Sequence, residues 1–302
     1  NHTFGKLLPS QKHGKEHPEY YCMIDGRRHG EVTNDWFDNE PCLTNPDVLQ
    51  LICGAVEQEI DKHPGQTTFS VSQNDNDKYC RCPDCAAIDV REGGPMGSLL
   101  SFVNAVADAT ARTHPQVKIG TLSYWYSRKP PATIKPRTNV QIQLCSIEAC
   151  MIHPINDSEC KLNVAFCEDL RGWSRICQDI SIWNYNTNFL NYLLPCPNLR
   201  IMEQNIRFFV AKQAKGVFMQ GAGNALGAEF SDLRNYIMSR LLWNPQLSAA
   251  RLLDEFLDLH YRRAAPPIRR FIHLVHDNAE AKEIHRNCFG EAEHYGIDEA
   301  VV

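Results

Sequence analysis

Two kinds of chemistry lie side by side in residues 69–85, Phe-Ser-Val-Ser-Gln-Asn-Asp-Asn-Asp-Lys-Tyr-Cys-Arg-Cys-Pro-Asp-Cys. A short β-rich run over 67–72 ends in an acidic, amide-rich cluster that contains Asn74, Asp75 and Asp77. Carboxylates at the C-terminal tip of a strand are where α/β barrels keep their reacting groups. Directly after it, Cys80, Cys82 and Cys85 form a C-x-C-x-x-C cluster suited to a metal or disulfide knot that braces the loop. A structural zinc needs four ligands and the motif supplies three. Cys42 is the first candidate for the fourth and Cys22 the second. No histidine set with an open position accompanies them, so the expected ion is a structural zinc and no organic cofactor is expected. The chain carries 13 cysteines, and thiolate metal binding with scattered buried thiols accounts for them as well as disulfides do.

The ends of the other strand-like runs carry a consistent set of side chains. Tyr124, Trp125 and Tyr126 follow one run, Glu148 and then His153 another, Trp183, Asn184 and Tyr185 a third, Gln220 and Asn224 a fourth. Strand neighbours alternate in direction, so Tyr124, Trp125 and Tyr126 cannot all point one way. Acids, amides and aromatic rings together describe a sugar site, in which rings cover the apolar face of a pyranose and polar groups bond its hydroxyls. Glycoside hydrolysis needs one protonated carboxyl and a second group that activates water, attacks the sugar carbon or orients a substrate group. Asp75 is the expected acid and Glu148 the expected base. His2, Asn74, Tyr124, Trp125, Trp183, Asn184, Tyr185 and Gln220 are the expected substrate contacts, with Trp183 as the principal platform. No G-x-x-x-x-G-K, G-x-G-x-x-G or nucleophile-elbow sequence is present.

Bulk composition narrows the alternatives. The 302 residues are 43% hydrophobic and 22% charged, enough for a sizeable core. A formal net charge of -5 argues against a general nucleic-acid binder. No apolar run reaches the length of a membrane-spanning helix.

Strand-like runs at 2–7, 41–43, 67–72, 117–124, 140–147, 180–185 and 216–220 alternate with helical patterns at 45–62, 98–113, 199–214 and 232–242. That alternation predicts a TIM-type (β/α)8 barrel over residues 1–245, with its first strand upstream of Asn1 and the missing N-terminal region packing on the barrel. Residues 246–302, with patterns at 249–261 and 264–278, read as a C-terminal helical extension. Asp25-Gly26 within 22–28 marks a small hairpin.

The chain resembles a bacterial family of uncharacterised barrel proteins grouped with the glycoside hydrolases. The matching stretches are His2-Thr3-Phe4, His17-Pro18-Glu19-Tyr20-Tyr21, Asp25-Gly26-Arg27-Arg28, Cys42-Leu43-Thr44-Asn45-Pro46, Ser70-Val71-Ser72-Gln73-Asn74-Asp75, Cys80/Cys82/Cys85, Ile182-Trp183-Asn184-Tyr185, Leu233-Arg234-Asn235-Tyr236 and Leu241-Leu242-Trp243-Asn244-Pro245. That family is distantly similar to α-glucuronidases and N-acetylhexosaminidases, which place an acid after the fourth strand. The resemblance implies Asp75 as that acid, a carbohydrate substrate, and a periplasmic or secreted location. The glucuronidase-like enzymes often carry glutamate where this chain has Asn74-Asp75. Two rival functions fit the same residues: a non-catalytic carbohydrate-binding barrel, and a metal-dependent hydrolase that uses the cysteine cluster.

Overall fold

The structure is a computed structural model that describes residues 1–35, 39–223, 225–299 and 301. The chain forms two compact units: Asn1–Cys145 with Gly172–Ile180, and Ser146–Arg171 with Ser181–Val302.

The expected eight-stranded barrel does not form. The described residues contain seven strands: a two-stranded antiparallel hairpin, β1 (Met23–Ile24) with β2 (Arg27–Arg28), and five parallel strands. In the first unit β3 (Thr68–Ser70), β4 (Lys118–Ser123) and β5 (Val140–Cys145) lie in that order. In the second unit β6 (Ile180–Tyr185, all but its first residue) pairs with β7 (Gly216–Gln220). Among the described residues β3 has only β4 as a strand partner and β7 only β6, so no ring closes.

Two of the expected strands take other forms, for local reasons. Residues 2–7 contain the helical turn Phe4–Leu7. Phe4, Leu7 and Leu8 recur at helical spacing and all three are buried, so one turn of helix hides what a strand would have split between two faces. Residues 41–43 are too short for a strand, and Pro41 has no N–H to give. They run antiparallel to the segment before the hairpin, through Cys42 N–H to Tyr20 O at 2.8 Å and Cys22 N–H to Glu40 O at 2.8 Å.

The first unit's helices follow from their sequences. Pro46–Lys62 starts with Asn45, whose side chain accepts from the N–H groups of Asp47 and Val48 at 2.9 and 3.4 Å; Pro46 occupies the position where no N–H is required. It buries Val48, Ile52, Val56 and Ile60, one residue per turn on one face. Pro83–Glu92 ends at Gly93, which adopts φ +79° and satisfies a terminal carbonyl as a left-handed cap. Met96–Thr113 buries a wide stripe that includes Leu99, Leu100, Phe102, Val103 and Val106. Asp25 at φ +50° and Gly26 at φ +78° make the tight turn between β1 and β2.

In the second unit Ser231–Trp243, Ala249–Phe256 and Ala265–Ala281 build a core around Leu233, Ile237, Leu241, Leu252, Leu257 and Ile272. No described helix is long and apolar enough to cross a membrane.

Candidate functional site

Asp75 lies five residues past the end of β3, and the chain leading to it is fixed by buried hydrogen bonds. Thr3 and Phe4 donate their N–H groups to Ser72 O at 3.2 and 3.1 Å, and Ser72 N–H donates to Thr3 Oγ1 at 3.0 Å. Asn74 is 1% exposed. Its side chain accepts from Gly5 N–H at 3.0 Å and donates to Asn39 O at 2.8 Å, so the amide is engaged by backbone. Its own N–H donates to Glu40 Oε1 at 2.6 Å.

One residue further the environment changes, and the Asp75 side chain is 53% exposed. Tyr124 Oη donates to Asp75 Oδ1 at 2.8 Å, and His2 Nε2 stands 3.8 Å from the same oxygen. The His2 Nδ1 contact to Gln73 O at 2.8 Å requires Nδ1–H as donor, which turns Nε2 toward the carboxylate. Burial lowers the His2 pKa below its ordinary value, against the opposing effects of the Gln73 carbonyl and the Asp75 charge. The His2 and Tyr124 rings meet edge to face with centroids 5.3 Å apart. Gln73 Nε2 donates to Tyr124 O at 3.2 Å, and Ser127 Oγ donates to Gln73 Oε1, so the aromatic turn is held against the end of β3. Trp125 in that turn is 48% exposed and takes φ +50°, a conformation that bulky residues rarely adopt. Tyr126 faces another way and packs on Tyr79 with centroids 4.9 Å apart. The structure therefore brings together His2, Asp75, Tyr124 and Trp125.

Glu40 is a group that the sequence does not flag. It is 3% exposed, and burial raises its pKa to about 8, opposed only in part by the Asn74 N–H. A buried carboxyl pushed toward its neutral form thus bonds the residue next to the exposed one. In sequence it is a single acid before a proline, and nothing local signals its burial.

A cleft of about 660 Å³ in the first unit lies elsewhere, between the N-terminal turns and the helix Pro46–Lys62. Two of its lysines, Lys6 and Lys62, both bond Glu59, at 3.0 and 2.9 Å. Volume alone makes it a weaker candidate than the half-exposed carboxylate with its oriented phenol and imidazole.

The cysteine cluster is in the first unit. Cys42, Cys80, Cys82 and Cys85 are all buried, and their sulfurs lie within 4.8 Å of one another. The Cys42 and Cys82 sulfurs are 3.7 Å apart. Four sulfurs 2.3 Å from one tetrahedral ion would stand about 3.8 Å apart, so the set fits a metal ion. Cys82 is the residue before the helix Pro83–Glu92 and Cys85 lies in its first turn, a spacing of three that puts both on one side. Met23 N–H reaches Cys80 at 3.3 Å, Arg28 reaches it at 3.9 Å, and Thr44 Oγ1 lies 3.3 Å from Cys85. Such donors are the outer contacts that orient thiolate ligands. The thiols share their protons: hydrogen bonds from Cys80 and Cys85 lower the Cys42 pKa, and the bond to Cys42 in turn raises those of Cys80 and Cys85. Cys22 is buried nearby but is not one of the four. All thirteen cysteines are free thiols in this structure.

The remaining expected contacts are in the second unit. Glu148 lies in a half-buried turn closed by Ala149 N–H to Ser146 O at 2.9 Å. Trp183 Nε1 donates to Gln220 Oε1 at 2.6 Å, and the Trp183 ring stacks on Tyr185 at 6.2 Å and meets Phe218 edge to face at 5.0 Å. Registers Trp183↔Phe218 and Tyr185↔Gln220 place these four on one face of the β6–β7 pair. Phe218 is 49% exposed and lines a cleft of about 380 Å³ with Thr187, Gln220 and Asn235. Asn184 points to the opposite face and donates to Ser146 Oγ at 2.9 Å, while its Oδ1 is buried without a partner. Asn224 lies outside the described residues. Phe218 was legible only through the pairing register, which sequence does not give.

No curated protein matches the chain. A family described as a domain of unknown function, DUF4838, matches residues 1–273. A match over that share of the sequence shows that this chain belongs to the DUF4838 family.

Proposed function

We propose that the protein is a glycoside hydrolase that acts on a glycan or oligosaccharide, with Asp75 as the acid. One observation carries this reading. Asp75 is a half-exposed carboxylate whose Oδ1 accepts the Tyr124 hydroxyl, with His2 beside it and an exposed indole, Trp125, next along the chain from Tyr124. A leaving glycosidic oxygen must take a proton from a carboxyl that solvent-borne substrate can reach, and Asp75 satisfies that condition where the buried Glu40 does not. Tyr124 fixes the rotamer of the carboxyl and leaves its second oxygen for substrate. With Nδ1–H held by Gln73 O, His2 would support the charge left on Asp75 only in its doubly protonated form. Glu148 is assigned as the second carboxyl on its place just past β5. The resemblance of the chain's motifs to barrel proteins distantly similar to α-glucuronidases and N-acetylhexosaminidases points to the same reaction class. The four thiolates would hold a zinc ion with no open position, and that ion would lock the hairpin and the helix Pro83–Glu92 behind the Asp75 loop.

The test is hydrolysis of a panel of aryl glycosides, uronides and N-acetylhexosaminides included. Turnover by the parent and its loss in Asp75→Asn and Glu148→Gln, with azide restoring the second variant as a replacement nucleophile or base, supports the reading. Turnover unaffected by Asp75→Asn overturns it.

A second reading rests on the aromatic face of Trp183, Tyr185, Phe218 and Gln220 beside its cleft, which suits sugar binding without cleavage. Glycan binding that survives Asp75→Asn, from a parent that cleaves no substrate of the panel, favours this reading over the first.

A further inference from the structure

We propose that Cys150, His153, Cys160 and His285 form a second metal site, in the second unit, for zinc or a divalent ion of similar chemistry. One ligand atom from each of these residues lies within 4.8 Å of the other three. His153 Nδ1 is 3.5 Å from Cys150 Sγ, and His285 Nδ1 is 3.1 Å from Cys160 Sγ. In a tetrahedron with sulfur at 2.3 Å and nitrogen at 2.0–2.1 Å, adjacent sulfur and nitrogen stand about 3.5 Å apart. Each histidine thus already has a nitrogen near the correct distance from a thiol. The two imidazoles stack at 4.1 Å with their planes 17° apart, so the rings approach the thiols side by side.

The surrounding backbone holds the ligands in place. Ile152 N–H donates to Cys150 Sγ at 3.4 Å, the kind of outer contact that stabilises a thiolate. Asn163 Nδ2 donates to His153 O at 3.2 Å and to Pro154 O at 2.9 Å. Asn163 and Val164 donate their N–H groups to Cys160 O, both at 2.9 Å, which seats Cys160 at the start of the helix Lys161–Ile176. Met151 N–H donates to Arg286 O at 2.9 Å and carries the segment bearing His285 against the loop. Cys150 and Cys160 are buried, His153 is half-buried and His285 is exposed. Two buried thiols and two outward imidazoles make a Cys₂His₂ set open to entry from the His285 side. Capture of one ion by two thiols and two neutral imidazoles releases two protons. Cys150 is two residues past Glu148, so the ion would fix the loop on which the proposed second carboxyl stands, but the site does not depend on that assignment.

The experiment uses the reduced full chain, loaded with cobalt and then with zinc. Native mass spectrometry should count two ions per chain in the parent. A Cys42→Ser/Cys82→Ser variant should keep one ion, and its zinc-edge absorption should show about two sulfurs and two nitrogens at the distances above. His285→Ala changes an exposed residue and should leave the fold intact, yet it should weaken one of the two ions by at least tenfold and alter the mixed cobalt spectrum, not the all-thiolate one. One ion per chain with only sulfur ligands in the parent overturns the proposal. So do two ions unchanged in His285→Ala.

Discussion

At the first unit's candidate site the half-exposed Asp75 carboxylate stands on a base of buried polar bonds, whereas the β6–β7 face of the second unit is built of rings, with Phe218 exposed, Trp183 half-buried and Tyr185 buried. Asp75 follows Asn74, both of whose amide atoms are engaged, and Asn74 in turn leans on Glu40. Trp183 stacks on Tyr185, meets Phe218 edge to face and bonds Gln220, and Tyr185 also meets Phe189 edge to face. The difference teaches which contributions tolerate loss. A buried polar network fails when one partner is removed, because the remaining group is left unsatisfied. A stack of rings on a strand pair loses only the area and contact of the ring removed. The cysteine sets differ in the same sense: the first unit's cluster is buried on all four residues, the second unit's only on two.

Substitutions can break or sharpen this contrast. The largest effect is expected for Cys82→Ser. It removes one of four buried thiols that fit a metal ion, and a structural zinc in such a site would supply an apparent free energy of about 10–16 kcal/mol. Loss of the ion, read by elemental analysis, should come with unfolding of the hairpin and the helix Pro83–Glu92, read by hydrogen exchange. Protection unchanged in both segments would show that the cluster does not brace the unit.

Asp75→Asn comes next. Removal of a general acid costs about 10²–10⁴ in rate, roughly 3–5 kcal/mol of activation free energy. Because Asp75 is half exposed, the melting temperature should hardly move. A large drop in melting temperature with proportionate loss of activity would mean that Asp75 belongs to the buried network after all.

Glu40→Gln isolates that network through pH. Burial raises the folded pKa of Glu40 to about 8 from an ordinary 4.5, so the folded chain keeps a proton that the unfolded chain releases. Its stabilising contribution is fully present below about pH 4.5 and is lost as pH rises to about 8, by on the order of 4 kcal/mol at most. His276 works in the opposite sense in the second unit: burial lowers it from 6.5 to about 4, so stability is gained as pH rises through that interval. The difference between parent and Glu40→Gln in denaturant unfolding at pH 5, 6.5 and 8 removes the His276 effect. The parent's advantage should shrink steadily across the series; a constant difference would mean that Glu40 is ionised throughout.

Trp183→Ala should show the smallest effect, a roughly tenfold weakening of glycan binding at about 1.4 kcal/mol per decade, with the fold retained. Unaltered affinity for every glycan that the parent binds would remove the aromatic face from the proposed sugar site.

The parts of this arrangement that sequence displayed are those set by neighbours in the chain. The C-x-C-x-x-C spacing, the Asn45-Pro46 helix start and the Asp25-Gly26 turn are all local. Strands β3 to β7 were also legible as apolar runs, but their number and closure were not, because one turn of helix at Phe4–Leu7 and one antiparallel bridge at Pro41 read as strands when only residue types are seen. The contact of His2 with Asp75 joins residues 73 apart in sequence, and that of His285 with Cys160 joins residues 125 apart. No spacing rule spans such gaps. Glu40 escaped notice for a thermodynamic reason: burial of a carboxyl depends on what surrounds it in three dimensions, and the residue type alone argues for exposure.

Trp125 has a consequence for how this chain can change over time. A half-exposed indole on left-handed backbone costs the fold about 1 kcal/mol or more, and glycine at that position would relieve it. Selection for endurance alone would favour the smaller residue, so tryptophan at 125 sets durability against an exposed indole next to Tyr124, which bonds Asp75. Heat-hardened variants obtained by random mutagenesis should therefore collect changes at 125, and each would reveal what the indole contributes by what the variant no longer holds.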